Sequence, residues 1–144
     1  MTRLFARSLS TAGVALFGLA LAACSASTAH IGSLQTGKDQ DVSTAVSTFD
    51  PHDTVYAKGD AANVPSAVTL KWQLVAENVK GQPPNAAQPN DDVSKDFSSD
   101  GTSTYTLTPP PNGWPPGTYK IVLTMIDDGK QRDQKTTEFT VPGS

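Results

Sequence analysis

Strict alternation of apolar and polar residues is the feature that most constrains the fold of this 144-residue chain. In the stretch AVTLKWQLVAE, residues 67–77, every second residue from Val68 to Leu74 is apolar, and Trp72 is among them. Because successive side chains of a strand point to opposite faces, this pattern predicts a half-buried β-strand with Trp72 in the core. The stretch TYKIVLTMID, residues 118–127, alternates in the same way, and Asp128 and Gly129 after it predict a hairpin turn.

Shorter alternating runs predict the remaining strands. They cover residues 43–49, 54–59, 103–108 and 135–141. The chain has only two glutamates among its acidic residues but eleven glycines and eleven prolines, which favours strands and turns over helices. About seven short strands over about 100 residues are typical of an immunoglobulin-like antiparallel β-sandwich, which is the all-β fold that the sequence predicts.

Two proline-rich stretches predict connections rather than strands. Residues 78–102 contain three prolines and many polar residues, so we expect mostly turn and loop there. The stretch PPPNGWPPG, residues 109–117, predicts a rigid connection that carries Trp114.

The first residues predict a targeting segment and not a part of the fold. Arg3 and Arg7 precede the apolar stretch LSTAGVALFGLAL, residues 9–21. A transmembrane helix needs about 20 apolar residues, so this stretch is too short to span a bilayer. We therefore predict that residues 1–23 are a secretory signal peptide.

The sequence LAAC, residues 21–24, resembles the lipobox of bacterial lipoproteins. The resemblance implies that Cys24 becomes the first residue of the mature chain and carries a diacylglyceryl group and an N-linked acyl chain such as palmitate. Ser25 stands where lipoproteins retained in the inner membrane carry Asp, which implies anchoring in the outer membrane, facing the periplasm, with surface exposure as the alternative. Several acyl chains, each CH₂ contributing about 0.8 kcal/mol, would make this membrane anchor stable.

The segment after Cys24 is small and polar and has no periodicity. We therefore predict a lipidated, flexible tether over residues 24–42 and a sandwich over residues 43–144. The stretches FDPHDTVYA, residues 49–57, and NGWPPGTYKIVLTM, residues 112–125, resemble small proteobacterial lipoproteins with a single immunoglobulin-like or fibronectin III-like domain. That resemblance implies the fold but leaves the function open.

Catalytic residues are not predicted. His52 is the only histidine in the predicted domain, it lies between Asp50 and Asp53, and no G-x-S-x-G motif accompanies it. We expect a non-enzymatic protein. The alternative is a small periplasmic enzyme or inhibitor that uses His52 with the nearby carboxylates.

Neither a cofactor nor a metal site is predicted. Phosphate-binding loops are absent, and the acidic residues of stretches 50–60 and 90–100 lack the spacing of a calcium loop. A calcium-stabilised adhesive domain is a further alternative that the acidic stretches leave open. The net charge of −3 excludes the basic patch that nucleic-acid binding needs.

Binding is the function that remains. The proline-rich loop favours Trp114 as a cap on the open end of the sandwich. The alternative is a binding loop, formed by Trp114 together with His52, that meets a partner or a glycan. We expect a binding or assembly module for an envelope protein or a glycan.

Overall fold

The computed structural model describes residues 27–89 and 91–144. These residues form eight β-strands: β1 (His30–Gly37), β2 (Val55–Ala62), β3 (Val68–Val79), β4 (Ala86–Ala87), β5 (Val93–Phe97), β6 (Gly101–Leu107), β7 (Gly117–Asp127) and β8 (Lys130–Val141). The predicted signal peptide and Cys24 lie outside the described residues. Within those two ranges, no helix has the length and apolarity that crossing a membrane requires.

The strands pair into two antiparallel sheets that enclose one core. The first sheet has the strand order β1-β2-β6. In the second sheet β3 is central: it pairs with β7 on one side and with both β4 and β5 on the other. β8 pairs with the far side of β7. Chain neighbours such as β2 and β3 lie in different sheets, as in an immunoglobulin-like sandwich. The predicted fold class is therefore confirmed.

The core follows the alternation in the sequence. Trp72 on β3 is 0% exposed, and its ring stacks on Tyr105 of β6 with 5.4 Å between ring centroids. Along β7, every second residue from Tyr119 to Asp127 is buried. The prediction that Trp72 is the central core aromatic between the two sheets is confirmed.

The predicted tether over residues 24–42 is wrong for the part that forms β1. That strand pairs antiparallel with β2, and Ile31 is only 1% exposed. The pairing register shifts between Ile31 and Leu34, which marks a β-bulge around Gly32 and Ser33. Because a bulge breaks the two-residue period, alternation did not reveal this strand. The sandwich therefore begins at β1 and not at residue 43.

Residues 43–49 were predicted as a strand, and the structure gives them a smaller role. Only Thr48 forms a bridge, a parallel one to Thr140 of β8. Two backbone hydrogen bonds support it, from Phe49 N to Thr140 O at 3.0 Å and from Thr140 N to Ser47 O at 2.8 Å. This short contact attaches the chain to the second sheet after it leaves β1.

The stretch 78–102 is more ordered than predicted. It contains β4, β5 and the start of β6, while its three prolines lie outside the strands. β5 is an edge strand in which four of five residues are exposed, so no buried face imposes alternation on its sequence. Phe97 at its end is half-buried and packs against the core.

Candidate functional site: the proline end of the sandwich

The loops between the strands form two ends. The residue-27 end comprises loops 63–67, 98–100 and 128–129, and the proline end comprises loops 38–54, 80–85 and 108–116. The three loops of the proline end hold one, two and five of the eleven prolines of the chain, respectively. Because proline fixes the backbone angle φ, loop 108–116, which holds five of them, has few accessible conformations.

Backbone hydrogen bonds join the three loops of the proline end. Trp114 N donates to Pro51 O at 2.7 Å, and Lys80 N donates to Pro116 O at 3.0 Å. Gly113 has a φ of 80°, and a Cβ there would lie 2.9 Å from Pro51 O, so the close approach of loops 38–54 and 108–116 requires glycine. The proline end is therefore one connected surface.

Trp114 faces inward at this end. It is 7% exposed, and its indole Nε1 donates a 2.9 Å hydrogen bond to Asp53 O. Its ring contacts Tyr119 edge-to-face at 5.5 Å and Phe139 at 6.0 Å between centroids. Of the two roles that the sequence left open, the structure places Trp114 as the cap of the sandwich. A buried ring does not offer its face to a sugar.

Tyr119 stabilises the same end. Its hydroxyl donates a 2.7 Å hydrogen bond to Pro115 O, four residues upstream, and its ring stacks on Phe139 with 4.9 Å between centroids. A tyrosine near the start of this strand that bonds back to the preceding backbone is the tyrosine corner of immunoglobulin-like domains. Burial raises the pKa of Tyr119 to about 12.

His52, the other predicted binding residue, is exposed at the proline end. A Cβ at Gly113 would lie 3.1 Å from His52 Cε1, so the imidazole lies directly against loop 108–116. The structure thus brings His52 and Trp114 into adjacent loops, with His52 on the surface and Trp114 beneath it. Pro51, Pro110, Pro111 and Asn112 in the same two loops are exposed as well.

The carboxylate nearest in sequence to His52 already has partners. Asp53 Oδ2 lies 2.7 Å from Lys38 Nζ and accepts a 2.8 Å hydrogen bond from Asp50 N. The hydrogen bond from Lys38 and the one from the Asp50 backbone lower the pKa of Asp53. This carboxylate therefore closes the turn rather than orienting an imidazole.

The acidic stretches that suggested calcium have protein donors in their vicinity. Besides Asp53, three of their carboxylates accept hydrogen bonds: Asp60 from Ser33 and Thr102, Asp96 from Thr69, and Asp100 from the Val64 backbone. In the part of the chain that the structure describes, no group of three or more His, Cys, Asp or Glu side chains could hold a metal ion.

A charge cluster that sequence reasoning missed lies on the outer face of the second sheet. Lys120 Nζ on β7 is 3.1 Å from Glu77 Oε1 on β3, and Lys120 pairs in register with Glu138 on β8. The hydrogen bond from Lys120 lowers the pKa of Glu77, and the hydrogen bond and negative charge of Glu77 raise the pKa of Glu138. The pairing of β3, β7 and β8, with a register shift at Glu77 between Ala76 and Asn78, brings these glutamates together. Local sequence patterns therefore carry no signal for the cluster.

Comparison with known proteins supports the fold. A crystal structure of a protein assigned as a beta-galactosidase from Bacteroides fragilis matches with a TM-score of 0.52 and 18% sequence identity. The match covers 78% of this chain and 17% of that chain, so it spans a small part of a much longer protein. Neither a protein-family model nor a curated protein matches the chain. At this identity the likeness shows the sandwich fold alone.

Proposed function

We propose that the protein is a non-enzymatic lipoprotein of the bacterial outer membrane that faces the periplasm and binds an envelope protein or a glycan. The sequence LAAC at residues 21–24, after a positively charged and then an apolar stretch, supports lipid anchoring through Cys24. The anchor concentrates the domain at a membrane, where a binding or assembly module would meet an envelope partner.

The proline end is the surface that we assign to this binding. The observation that carries the assignment is the pair of hydrogen bonds from Trp114 to Pro51 O and Asp53 O, which fixes loops 38–54 and 108–116 against each other. Rigid loops lose little conformational entropy when a partner binds, so the surface is pre-organised. His52 and Asn112 are two of the exposed polar residues that the proline end presents.

The alternative in which His52 acts in an enzyme or an inhibitor has weaker support. The side chain of Asp53 pairs with Lys38 and with the Asp50 backbone, so this carboxylate does not orient the imidazole as a general base would require. A beta-galactosidase activity belongs to the longer protein that the sandwich resembles, and a fold does not transfer an activity.

Site-specific photo-crosslinking in intact cells tests the proposal. A photoreactive residue at Asn112, in the proline end, is compared with one at Thr106, which is also exposed but lies on the outer face of β6. We expect a discrete protein or glycan adduct at position 112 and none at position 106. Equal adducts at both positions, or none at 112, would overturn the assignment of the binding surface.

Two variants separate the roles within that surface. Asn112→Arg adds a bulky charge to the proline end. In this variant the photoreactive residue is placed at position 52 in place of His52, and we expect its crosslinked adduct to be lost. Thr106→Arg is the matched control and should leave the adduct unchanged.

A further inference from the structure

We propose that the protein stands end-on at the membrane, with the residue-27 end against the lipid headgroups and the proline end directed away from them. This orientation rests on the proposed lipidation of Cys24. It concerns how the domain meets the bilayer, which the function proposed above does not specify.

The first argument is the short distance between the anchor and the fold. Cys24 and Ser27 are three Cα–Cα steps apart, which at 3.8 Å each spans at most about 11 Å. From Thr28 onward the chain is attached to the sandwich, since Thr28 Oγ1 donates a 3.3 Å hydrogen bond to Asn63 O and Ala29 is 6% exposed. The anchor is therefore held much closer to the fold than a flexible tether extending to residue 42 would allow.

The second argument is where the chain enters the sandwich. β1 starts beside the end of β2, with His30 paired to Ala62, so the chain enters at the residue-27 end. Loop 63–67 is bonded there to loop 98–100 through Val64 N and Asp100 Oδ1 at 2.8 Å. An anchor within about 11 Å of Ser27 must bring these loops to the bilayer surface before any other part of the domain.

The third argument is the chemistry of the residue-27 end, which suits contact with polar headgroups. Its exposed side chains are small or polar: Asn63, Pro65, Ser66, Ala67, Ser98, Ser99, Asp100 and Asp128. Arg132 next to this end pairs with Asp127 at 3.4 Å, so its charge is partly neutralised. Lys130, which directly follows loop 128–129, is exposed, and the loops also carry the carboxylates of Asp100 and Asp128, so the end has no excess of positive charge. With no large apolar side chain exposed in these loops, the end would rest on the surface and not insert, and the acyl chains would supply most of the affinity.

The length of the strands sets the height of the proline end. β3 has twelve residues and runs from the residue-27 end to the proline end. At about 3.3 Å per residue it spans about 36 Å, which places His52 and Asn112 roughly that far from the headgroups. A partner of the proline end would then approach from the aqueous side.

Energy transfer to labelled lipids tests the orientation. Because Cys24 is the only cysteine of the chain and would be blocked by acylation, a single fluorophore can be attached at Ser99→Cys or at Asn112→Cys. The full lipidated chain is added to preformed phosphatidylcholine vesicles that carry an acceptor on a small fraction of their headgroups. We expect strong transfer from position 99 and at least a several-fold weaker transfer from position 112.

An insertion variant provides the control. A flexible Gly/Ser segment of about 18 residues between Ala26 and Ser27 restores the slack of a long tether, and we expect it to reduce the difference between the two positions strongly. Equal transfer from both positions in the acylated, unextended chain would overturn the end-on orientation and leave the anchor intact. If mass measurement finds no acyl groups on the mature chain, the proposed anchor itself fails, and the orientation with it.

Discussion

Trp72 Nε1 donates a 2.9 Å hydrogen bond to Ser103 Oγ across the interior of the sandwich. Trp72 belongs to β3 in the second sheet and Ser103 to β6 in the first, and both are buried. This bond is a directional link between the sheets in an otherwise apolar contact. It therefore fixes how the two sheets are aligned, in addition to the area that they bury.

Ser103→Ala should destabilise the protein by about 1–3 kcal/mol, because it leaves the indole N–H of Trp72 buried without an acceptor. Urea unfolding followed by tryptophan fluorescence measures the loss. Thr106→Ala on the exposed face of the same strand is the control and should stay within about 0.5 kcal/mol of the native protein. Equal effects of the two substitutions would show that the bond does not contribute.

Gly59→Ala should lower the free energy of unfolding by about 1–3 kcal/mol through overpacking. A Cβ at position 59 would collide with Leu123 Cδ2 and lie 3.1 Å from Trp72 Cη2. Gly32→Ala is the matched control, since a Cβ there would lie 3.6 Å from Ala62 Cβ, an ordinary contact. Thermal unfolding of the two variants should therefore give clearly different midpoints, and similar midpoints would contradict the prediction.

Tyr119→Phe should cost about 1 kcal/mol at neutral pH, because it removes the hydrogen bond to Pro115 O. The variant should also resist alkali better than the native protein. Burial raises the pKa of Tyr119 to about 12, whereas the ordinary value, which applies to the unfolded chain, is near 10. Between these two pH values the unfolded chain loses the hydroxyl proton and the folded protein retains it. The native protein therefore loses stability as the pH rises from about 10 towards 12. Burial also raises the pKa of Tyr105, so the substitution should reduce this loss and not abolish it. Urea unfolding at pH 8 and pH 11 measures the difference, and parallel losses in both proteins would argue against it.

Lys120→Met should lower the melting midpoint by a few degrees at pH 7, because it leaves Glu77 and Glu138 close together without a cation. The hydrogen bond from Lys120 lowers the pKa of Glu77 in the fold, so its contribution is present above the unfolded pKa of about 4.3 and is lost as the pH falls. The difference from the native protein should therefore shrink at pH 3. Lys71→Met is the control, since its pairing with Asp92 at 3.7 Å is longer and more exposed. A pH-independent difference for Lys120→Met would rule out the carboxylates as its cause.

A chain that begins at Ser27 should fold, whereas one that begins at Ser43 should not give a cooperative transition. The shorter chain lacks β1, which buries Ile31 and covers the edge of β2. Amide dispersion in NMR spectra and urea unfolding distinguish the two. A cooperative transition in the chain that begins at Ser43 would restore the longer tether that the sequence predicted.

The fold was predictable wherever a buried face imposed alternation, as it does along β3 and β7. β1 was not predicted because its bulge interrupts the alternation. β5 was not predicted because four of its five residues are exposed. At the candidate site, the sequence located Trp114 and His52 in loops but did not determine which way they face. That depends on the hydrogen bond from Trp114 to Asp53 O, which joins residues 61 positions apart, and local patterns carry no signal for such a contact.

The attachment of β1 and of Thr48 to β8 has a consequence for how the chain reaches its native state. Ile31 N donates a 2.8 Å hydrogen bond to Asp133 Oδ2, 102 residues away, and Thr48 pairs with Thr140. The first strand thus completes its contacts only when the last strand is available. Such high contact order predicts folding in milliseconds to seconds. Until β8 has been synthesised, the chain should therefore remain unfolded. An unfolded chain is the form that a secretion channel can transport across a membrane.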